Sequence, residues 1–253
     1  MRIALITGAS SGIGREFARQ IPLLYRELDA VWVVARRTER LKEIEKESKI
    51  PVKIFDGDLT RDYIYERIEK ELDRARADIR MLVNCAGYGK FGTFQDLEES
   101  LQLGMVDLNC RGLTKMIHTC LPYLTGGSRI INLASAASFS PQPGFAVYAA
   151  SKSYVKSFSY ALGAELRERG VYVTCVCPGP VDTAFFQTSG ELQGKAAVLK
   201  KAPADKVVRK ALIDAAHKKK SSVYGLSMKT ARLGAKLLPS FLTAEVMRLV
   251  SGL

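Results

Sequence analysis

A tyrosine and a lysine lie four positions apart in the segment YAASK, which spans residues 148–152. In a helix this spacing places the Tyr148 phenol and the Lys152 ammonium on one face. A free tyrosine has a pKa of about 10, and a cation held beside it favours the phenolate and lowers that pKa. The pair could therefore act as a general acid–base near neutral pH. The same spacing also occurs in solvent-exposed surface pairs, so the pattern alone leaves both interpretations open.

A serine hydroxyl precedes this pair along the chain. Ser135 lies 13 residues before Tyr148, just after the apolar segment Arg129–Leu133. If that segment is a strand of a parallel sheet, its carboxyl end borders the crevice in which α/β proteins bind ligands. Ser135 is therefore predicted to face a ligand from the edge of a sheet.

Three glycines, Gly8, Gly12 and Gly14, punctuate the segment TGASSGIG near the start of the chain. They fall where an apolar strand pattern ends and a helical pattern begins. Glycine allows the tight turn and lets a phosphate approach the bare backbone, while the amide end of the following helix attracts the negative charge. We interpret the segment as a pyrophosphate-binding turn, although a glycine-rich turn without a ligand has the same composition.

Two arginines end the segment VVARRTER. Arg36 lies 22 residues after Gly14, about where dinucleotide-binding folds contact the adenosine ribose. NAD sites place a carboxylate there, whereas this chain has the neutral Ala35 followed by a guanidinium that can bind a phosphate through two parallel hydrogen bonds. We predict Arg36 as the ligand of a ribose 2′-phosphate and NADP(H) as the cofactor. Arg37 either assists or is a solvated residue of the next helix.

The elements that must position these groups alternate between short apolar runs and longer amphipathic ones. Apolar runs without polar alternation are typical of strands buried on both faces of a parallel sheet. The strand candidates are Ile3–Ile6, Val31–Ala35, Val52–Phe55, Met81–Asn84, Arg129–Leu133, Val171–Cys177 and, more weakly, Ser222–Tyr224. The helix candidates are Gly14–Leu28, Glu39–Ser48, Asp62–Arg76, Leu97–Leu124 and Tyr148–Arg169.

This alternation predicts a Rossmann-type, doubly wound α/β fold. We expect about seven parallel strands with helices on both faces, in a single domain over residues 1–253. Pro22 interrupts the pattern of the first helix, where a proline removes a backbone hydrogen bond and costs about 3 kcal/mol. The sequence therefore predicts a kink or break near Arg19–Pro22.

Composition narrows the functional classes. The net charge is +12, and residues 191–253 hold 13 Lys and Arg against 4 Asp and Glu. Nucleic acid or an anionic membrane surface could explain this excess, but a solvated basic face is commoner and no nucleic-acid motif accompanies it. With two histidines, five cysteines and no CxxC pair, we expect no metal site. No segment is typical of a membrane span or signal peptide, so a cytoplasmic location is expected.

Taken together, the motifs resemble those of the short-chain dehydrogenase/reductase family. They follow one another in that family's order over about residues 1–185, as the glycine turn, the Asn84–Gly87 segment, Ser135, the Tyr148–Lys152 pair and Pro178 with Gly179. The resemblance implies a carbonyl–alcohol oxidoreductase that transfers hydride with a nicotinamide cofactor. It also implies that the long helices Leu97–Leu124 and Tyr148–Arg169 pair across a two-fold axis in a homodimer or homotetramer.

The resemblance also assigns catalytic roles. Tyr148 is expected to exchange the proton with the substrate oxygen, which Ser135 holds. Lys152 would lower the pKa of Tyr148 and contact the nicotinamide ribose. Asn109 would keep a water beside the lysine for proton relay.

The cofactor contacts implied by the resemblance extend along the sheet edge. Asp58 would contact the adenine, residues 84–87 would pass the ribose, and the loop after residue 177 would orient the carboxamide. The expected cofactor-binding residues are Gly8, Ser10, Ser11, Gly12, Ile13, Gly14, Arg36, Arg37, Asp58, Leu59, Asn84, Ala86, Gly87, Tyr148, Lys152, Pro178, Gly179, Val181 and Thr183.

The region from residue 184 to 253 matches the family less well, and we expect it to form a variable substrate lid and C-terminal region. Phe185 and Phe186 could line an apolar substrate site or belong to the core. The tail beyond Met228 is amphipathic and interrupted at Pro239. We expect it to pack on its own domain or on a neighbouring subunit, while contact with a membrane surface or a lipophilic substrate is the alternative.

Two classes of function remain open from the sequence. The first is an NADP(H)-dependent oxidoreductase acting on a small-molecule carbonyl or alcohol. The second is a nucleotide-binding sensor that kept the fold and lost the chemistry. Because such a sensor should lack part of the Ser135, Tyr148 and Lys152 set, the intact set favours the enzyme.

Overall fold

Apolar runs that are buried on both faces form one sheet of seven parallel strands. The computed structural model describes residues 1–190 and 200–252. The strands are β1 (Arg2–Thr7), β2 (Ala30–Ala35), β3 (Val52–Asp56), β4 (Asp78–Asn84), β5 (Arg129–Leu133), β6 (Tyr172–Val176) and β7 (Ser221–Ser222). Their order in the sheet is β3-β2-β1-β4-β5-β6-β7, with every neighbouring pair parallel. The predicted doubly wound α/β fold, in a single domain, is confirmed.

Helices cover both faces of this sheet. They are α1 (Gly12–Leu24), α2 (Thr38–Glu47), α3 (Tyr63–Ala75), α4 (Glu99–Val106), α5 (Leu113–Cys120), α6 (Ala146–Glu165), α7 (Phe185–Ser189), α8 (Ala204–Ala216), α9 (Leu226–Leu237) and α10 (Ser240–Ser251). One buried apolar cluster joins α3, α5 and α6 to the sheet, and a second joins α1, α2 and α8 to its other face. This two-sided burial explains why the strands show no polar alternation.

The register of the strands brings the predicted site residues to one edge. Thr7 pairs with Asn84, and Asn84 pairs with Asn132, so these strands end side by side. The glycine turn, the segment after β4 and Ser135 therefore leave the sheet at the same carboxyl edge.

Helix α1 runs without interruption through Pro22 and ends at Leu24, so of the two predicted alternatives, a kink or a break, the break is absent. Proline at this position removes only the bond to the Ala18 carbonyl, close to the end of the helix. Phe17 and Ile21 are completely buried against the sheet. Burial of each such side chain contributes about 1.5–3 kcal/mol, which together offsets the cost of about 3 kcal/mol for a proline in a helix.

The long helix predicted over residues 97–124 is built from three kinds of turn. A π-helical segment, Asp107–Gly112, separates α4 from α5, and the 3₁₀ turn Leu121–Tyr123 follows α5. π turns within helices are rare and frequently occur at functional sites. Asn109 lies inside this one and is buried.

The C-terminal residues form two helices, α9 and α10, separated at Pro239 as the sequence predicts. Helix α9 packs against the 3₁₀ turn Ala136–Phe139, so the tail does pack on its own domain. Its outward face stays exposed, including Leu226, Leu233 and Leu237. Among the described helices, none combines the length and hydropathy required to cross a membrane.

Candidate active site

The glycine turn after β1 has the backbone conformation that its composition predicts. Gly8 and Gly12 have φ values of 67° and 54°, in the left-handed region that favours glycine. A Cβ on Gly8 would lie 2.7 Å from the Ala86 amide nitrogen, and one on Gly12 would lie 3.2 Å from Cβ of Thr183. The turn therefore packs against both later segments at this edge, and α1 begins at Gly12 with its amide end towards the same space.

Both arginines after β2 line the cavity that contains the glycine turn. Nη2 of Arg37 donates hydrogen bonds to the hydroxyls of Ser11 at 2.8 Å and Ser10 at 3.2 Å. Arg36 is exposed, and its charge lowers the pKa of the Tyr88 phenol, which burial raises more strongly. Arg37 is therefore attached to the turn, whereas the Arg36 guanidinium faces the cavity.

The next contact predicted along the edge follows β3. Asp58 and Leu59 line the same cavity. The Oδ1 atom of Asp58 accepts hydrogen bonds from the amide and the hydroxyl of Thr60, both at 2.9 Å. These bonds fix the carboxylate at the end of its loop, where it can meet a ligand.

Asn84 does not face the cavity, although the sequence places it among the cofactor contacts. Its side-chain amide donates a hydrogen bond of 2.9 Å to Oδ1 of Asn132, whose own amide donates to Ser159 at 3.0 Å. The chain of buried amides ties β4 to β5 and α6. Ala86 and Gly87, which follow Asn84, do line the cavity.

Tyr148 lies in the first turn of α6 and is only 6% exposed. Its phenol is hydrogen-bonded to the Ser135 hydroxyl, which lowers the pKa of Tyr148, but burial is the larger effect and raises that pKa to about 12. Ser135 itself is held at the start of the 3₁₀ turn after β5, where its oxygen accepts a hydrogen bond of 3.1 Å from the Ala137 amide. The structure therefore brings Ser135 and Tyr148, two of the predicted catalytic residues, together.

Lys152 is buried beside Tyr148, with 4% of its surface exposed. Its Nζ atom donates a hydrogen bond of 2.9 Å to the Leu133 carbonyl and lies 5.7 Å from the centre of the Tyr148 ring. Burial lowers the pKa of Lys152 to about 8. In this structure burial raises the pKa of Tyr148 and the Ser135 hydroxyl lowers it, so the lowering expected from Lys152 together with a bound nicotinamide ring stays a prediction.

The side-chain amide of Asn109 is hydrogen-bonded to other protein groups, and the residue does not line the cavity. Its Oδ1 accepts a hydrogen bond of 3.0 Å from the Tyr88 amide, and its Nδ2 donates to the Tyr88 carbonyl at 2.9 Å and to Ser151 at 3.0 Å. Ser151 in turn donates to the Tyr148 carbonyl at 2.7 Å. The Asn109 side chain thus joins the π-helical segment to the helix that carries Tyr148.

The loop after β6 closes the cavity from the other side. Pro178, Gly179, Val181 and Thr183 line it, as predicted. Val181 forms a parallel bridge with Ala202, so the chain returns at Ala202 to the part of the sheet edge where Val181 lies. The predicted lid over residues 184–200 falls partly on residues 191–199, which lie outside the described residues.

Aromatic rings surround Tyr148 and were not assigned from the sequence, apart from the two phenylalanines of α7. Phe145 stacks on Tyr148 with 4.2 Å between ring centres, and Phe91 stacks on Phe145 at 3.9 Å. The Phe185 ring lies at a tilt to Tyr148, with 5.7 Å between the ring centres. Phe145 precedes Tyr148 by three residues, so the helical spacing alone could have indicated this neighbour.

The cavity has a volume of about 1160 Å³. It runs from the glycine turn past Tyr148 to the C-terminal helices, where further apolar residues complete its wall. The lining residues contributed by those two helices include Met228, Ala231, Ala235, Leu238, Val246, Met247 and Val250. In the described ranges, no group of three or more His, Cys, Asp or Glu side chains is arranged to hold a metal ion.

Comparison with known proteins gives the family that the sequence motifs resemble. Residues 2–194 match the family described as short chain dehydrogenase. The chain belongs to the short-chain dehydrogenase family. Sulfoacetaldehyde reductase 2 from Chromohalobacter salexigens is 38% identical to this short-chain dehydrogenase over 200 residues, which cover 75% of this chain and 77% of that protein.

Two solved structures resemble this short-chain dehydrogenase over nearly its full length. One is a short-chain dehydrogenase from Sphingobium yanoikuyae in complex with NADPH, with 27% identity, a TM-score of 0.78 and coverage of 94% of this chain and 96% of that one. The other is the bulky-bulky ketone specific alcohol dehydrogenase from Comamonas testosteroni, with 26% identity, a TM-score of 0.74 and coverage of 94% and 95%.

Proposed function

We propose that this short-chain dehydrogenase interconverts a ketone or aldehyde and the corresponding alcohol, with NADP(H) as hydride carrier. The observation that supports this most directly is the buried Tyr148 phenol, hydrogen-bonded to Ser135 in the wall of a cavity that also holds the glycine turn. An aldehyde reductase and a ketone-specific alcohol dehydrogenase among its relatives support the same type of reaction.

The residues at the sheet edge fit a dinucleotide. The left-handed Gly8 and Gly12 keep the turn free of side chains, and the first turn of α1 contains no acidic residue that would repel a phosphate. The turn would hold the pyrophosphate, Asp58 the adenine, and the loop at Pro178 and Gly179 the nicotinamide. When bound, the cofactor supplies the hydride.

A preference for NADP(H) over NAD(H) is supported by charge at the end of β2. Ala35, a small neutral residue, occupies the end of the strand, and the exposed Arg36 guanidinium lines the cavity beside it. Arg37 is positioned by Ser10 and Ser11, where it adds a second cation next to the turn. The solved relative in complex with NADPH agrees with this assignment.

The chain's own residues would handle the proton. At neutral pH the high pKa of Tyr148 keeps its phenol protonated, so that Oη can donate a proton to a carbonyl oxygen as the carbonyl carbon is reduced. Ser135 would orient that oxygen and stabilise the phenolate that remains. The Lys152 ammonium, protonated below pH 8, would add positive charge beside the phenolate until solvent returns the proton.

Tyr148→Phe tests the acid–base role directly. We expect kcat/KM for carbonyl reduction to fall by about a hundredfold to ten-thousandfold, the usual contribution of general acid–base catalysis, while the Kd for NADPH changes little. Tyr154→Phe is the matched control, because Tyr154 is an exposed tyrosine of the same helix whose hydroxyl contacts Thr114. Full activity in Tyr148→Phe would show that the assignment is wrong.

The wild-type protein separates the enzyme from the sensor. If it binds NADPH but reduces none of a broad panel of ketones and aldehydes, the catalytically silent interpretation is correct instead. The cytoplasmic location and the homodimer or homotetramer stay predictions from the sequence and the family resemblance.

A further inference from the structure

The charges of the cavity wall are confined to one part of it. Among the described lining residues, the charged side chains are Arg36, Arg37, Asp58 and Lys152. The first three follow β2 and β3, at the edge that fits a dinucleotide. Lys152 is committed to the Leu133 carbonyl beside Tyr148. The described wall beyond Tyr148 therefore contains no charged side chain.

That wall is mostly apolar. The rings of Phe145 and Phe185 border Tyr148, and Phe91 stacks on Phe145. Side chains from the C-terminal helices, including Met228, Leu238 and Met247, continue the surface. Helix α9 lies against the loop after β6, because a Cβ on Gly179 would lie 2.5 Å from the Met228 sulfur. A substrate whose carbonyl meets Tyr148 therefore lies between aromatic rings and aliphatic side chains.

Size and charge together indicate the substrate class. The cavity of about 1160 Å³ exceeds the range of about 300–1,000 Å³ common for a single small-molecule site, and its wall continues past Tyr148 to α9 and α10, beyond the residues that fit a dinucleotide. A carboxylate or sulfonate placed against this wall would lose its hydration without gaining a cation. Burial of a neutral apolar group against this wall is favourable, because it removes apolar surface from water.

We propose that the substrate of this enzyme is a bulky, uncharged carbonyl compound with apolar groups on both sides of the carbonyl. This inference rests on the proposed function, since it assigns the compound that Tyr148 protonates. It excludes small anionic aldehydes as preferred substrates, although a sulfoacetaldehyde reductase is a relative.

Three carbonyl compounds separate size from charge. Benzophenone is bulky and neutral, 4-benzoylbenzoate has nearly the same shape with a carboxylate, and sulfoacetaldehyde is small and anionic. We expect kcat/KM with NADPH to be at least tenfold higher for benzophenone than for either anion. Equal or better turnover of an anion would overturn the proposal while leaving the oxidoreductase function intact.

A pair of variants on α9 tests the wall itself. Ala235→Arg puts a cation into the lining, whereas Leu233→Arg puts one on the outward face, where the leucine is 60% exposed. Ala235→Arg should raise the KM for benzophenone at least tenfold and improve turnover of 4-benzoylbenzoate, with an unchanged Kd for NADPH. Leu233→Arg should leave the preference for benzophenone unchanged. Identical substrate preferences in the two variants would contradict the proposal.

Binding distinguishes failure of this inference from failure of the proposed function. If none of the three compounds consumes NADPH, the broad panel of ketones and aldehydes decides whether the oxidoreductase function is wrong, and thermal unfolding with NADPH present still tests the substrate class. Benzophenone should then raise the midpoint temperature and sulfoacetaldehyde should not. A midpoint that benzophenone does not change, or that sulfoacetaldehyde raises as much, would overturn the substrate class.

Discussion

The two ends of the cavity are built in opposite ways. At the nucleotide end, the wall comes from the sheet edge, where glycines adopt left-handed conformations and Lys152 is held buried against a backbone carbonyl. At the far end, the wall comes from α9, which has no buried residue, and α10, in which Thr243 is the buried one. The first end is preorganised for one ligand at some cost in stability, while the second presents apolar surface without specific polar partners.

The largest expected contrast between the ends is at two glycines. Gly12→Val requires a β-branched residue at φ 54° and places its Cβ against Thr183, so we expect the Kd for NADPH to rise at least about a hundredfold. Gly234→Ala, on α9, has no atom within 4 Å of the added Cβ. It should keep NADPH binding and gain up to about 1 kcal/mol of unfolding free energy from helix propensity. Calorimetry would measure the Kd for NADPH, and chemical denaturation would measure the unfolding free energy. Equal losses of NADPH binding in the two variants would show that the two ends of the cavity do not differ in this way.

The next largest effect concerns the buried charge of Lys152 and its influence on the unfolding free energy. Below pH 8 the folded protein carries a buried Lys152 ammonium, whose cost Lys152→Met removes together with catalysis. The lowering of the pKa from 10.5 to about 8 corresponds to a gain of about 3 kcal/mol in the unfolding free energy at pH 7. As pH rises from 8 to about 10.5, the folded wild type loses this proton before the unfolded chain does, so the difference between variant and wild type should close.

Denaturant titrations at pH 7 and pH 10 measure this difference. Lys156→Met is the control, since Lys156 lies one turn further along α6, half-buried, and donates to the Ser138 carbonyl. This variant measures what the loss of an ammonium–carbonyl hydrogen bond does at a less buried position. A Lys152→Met variant that is less stable than the wild type at pH 7 would show that the buried ammonium does not carry this cost.

The smallest expected effect distinguishes the two arginines. Arg36→Ala should raise the Kd for NADPH about tenfold and leave NADH unchanged, as expected for loss of a charge-assisted phosphate bond. Arg37→Ala should weaken both nucleotides by a smaller factor, because Arg37 orders Ser10 and Ser11. Arg40→Ala, at an exposed position of α2, is the control. Selective loss of NADPH in Arg37→Ala alone would move the phosphate contact to Arg37.

Sequence reasoning worked best where a backbone requirement selects a residue type. Left-handed turns select glycine, and strands buried on both faces select unbroken apolar runs, so the glycine turn and the seven-stranded sheet were predictable. The position of Ser135 at the carboxyl edge of the sheet also followed from the sequence, because it comes directly after an apolar strand.

The errors arose where tertiary packing decides. The burial of Phe17 and Ile21 holds α1 together through Pro22, which propensity alone does not indicate. Asn84 pairs with Asn132 across the sheet instead of facing the cavity, because the pairing depends on strand order. The depth at which Tyr148 is buried, which raises its pKa, likewise depends on rings such as Phe145 that come from the surrounding fold.

Helix α9 buries little of its surface, and this has a consequence for how the protein can evolve. Substitutions at positions that bury little surface change folding free energy by little, usually within about 0.5 kcal/mol. If the proposed function holds, mutations along α9 can therefore accumulate and change which carbonyl compound is accepted while the fold stays stable. The glycine turn and Lys152 have no such freedom, so new substrate ranges would arise at the C-terminal end of the cavity around an unchanged cofactor site.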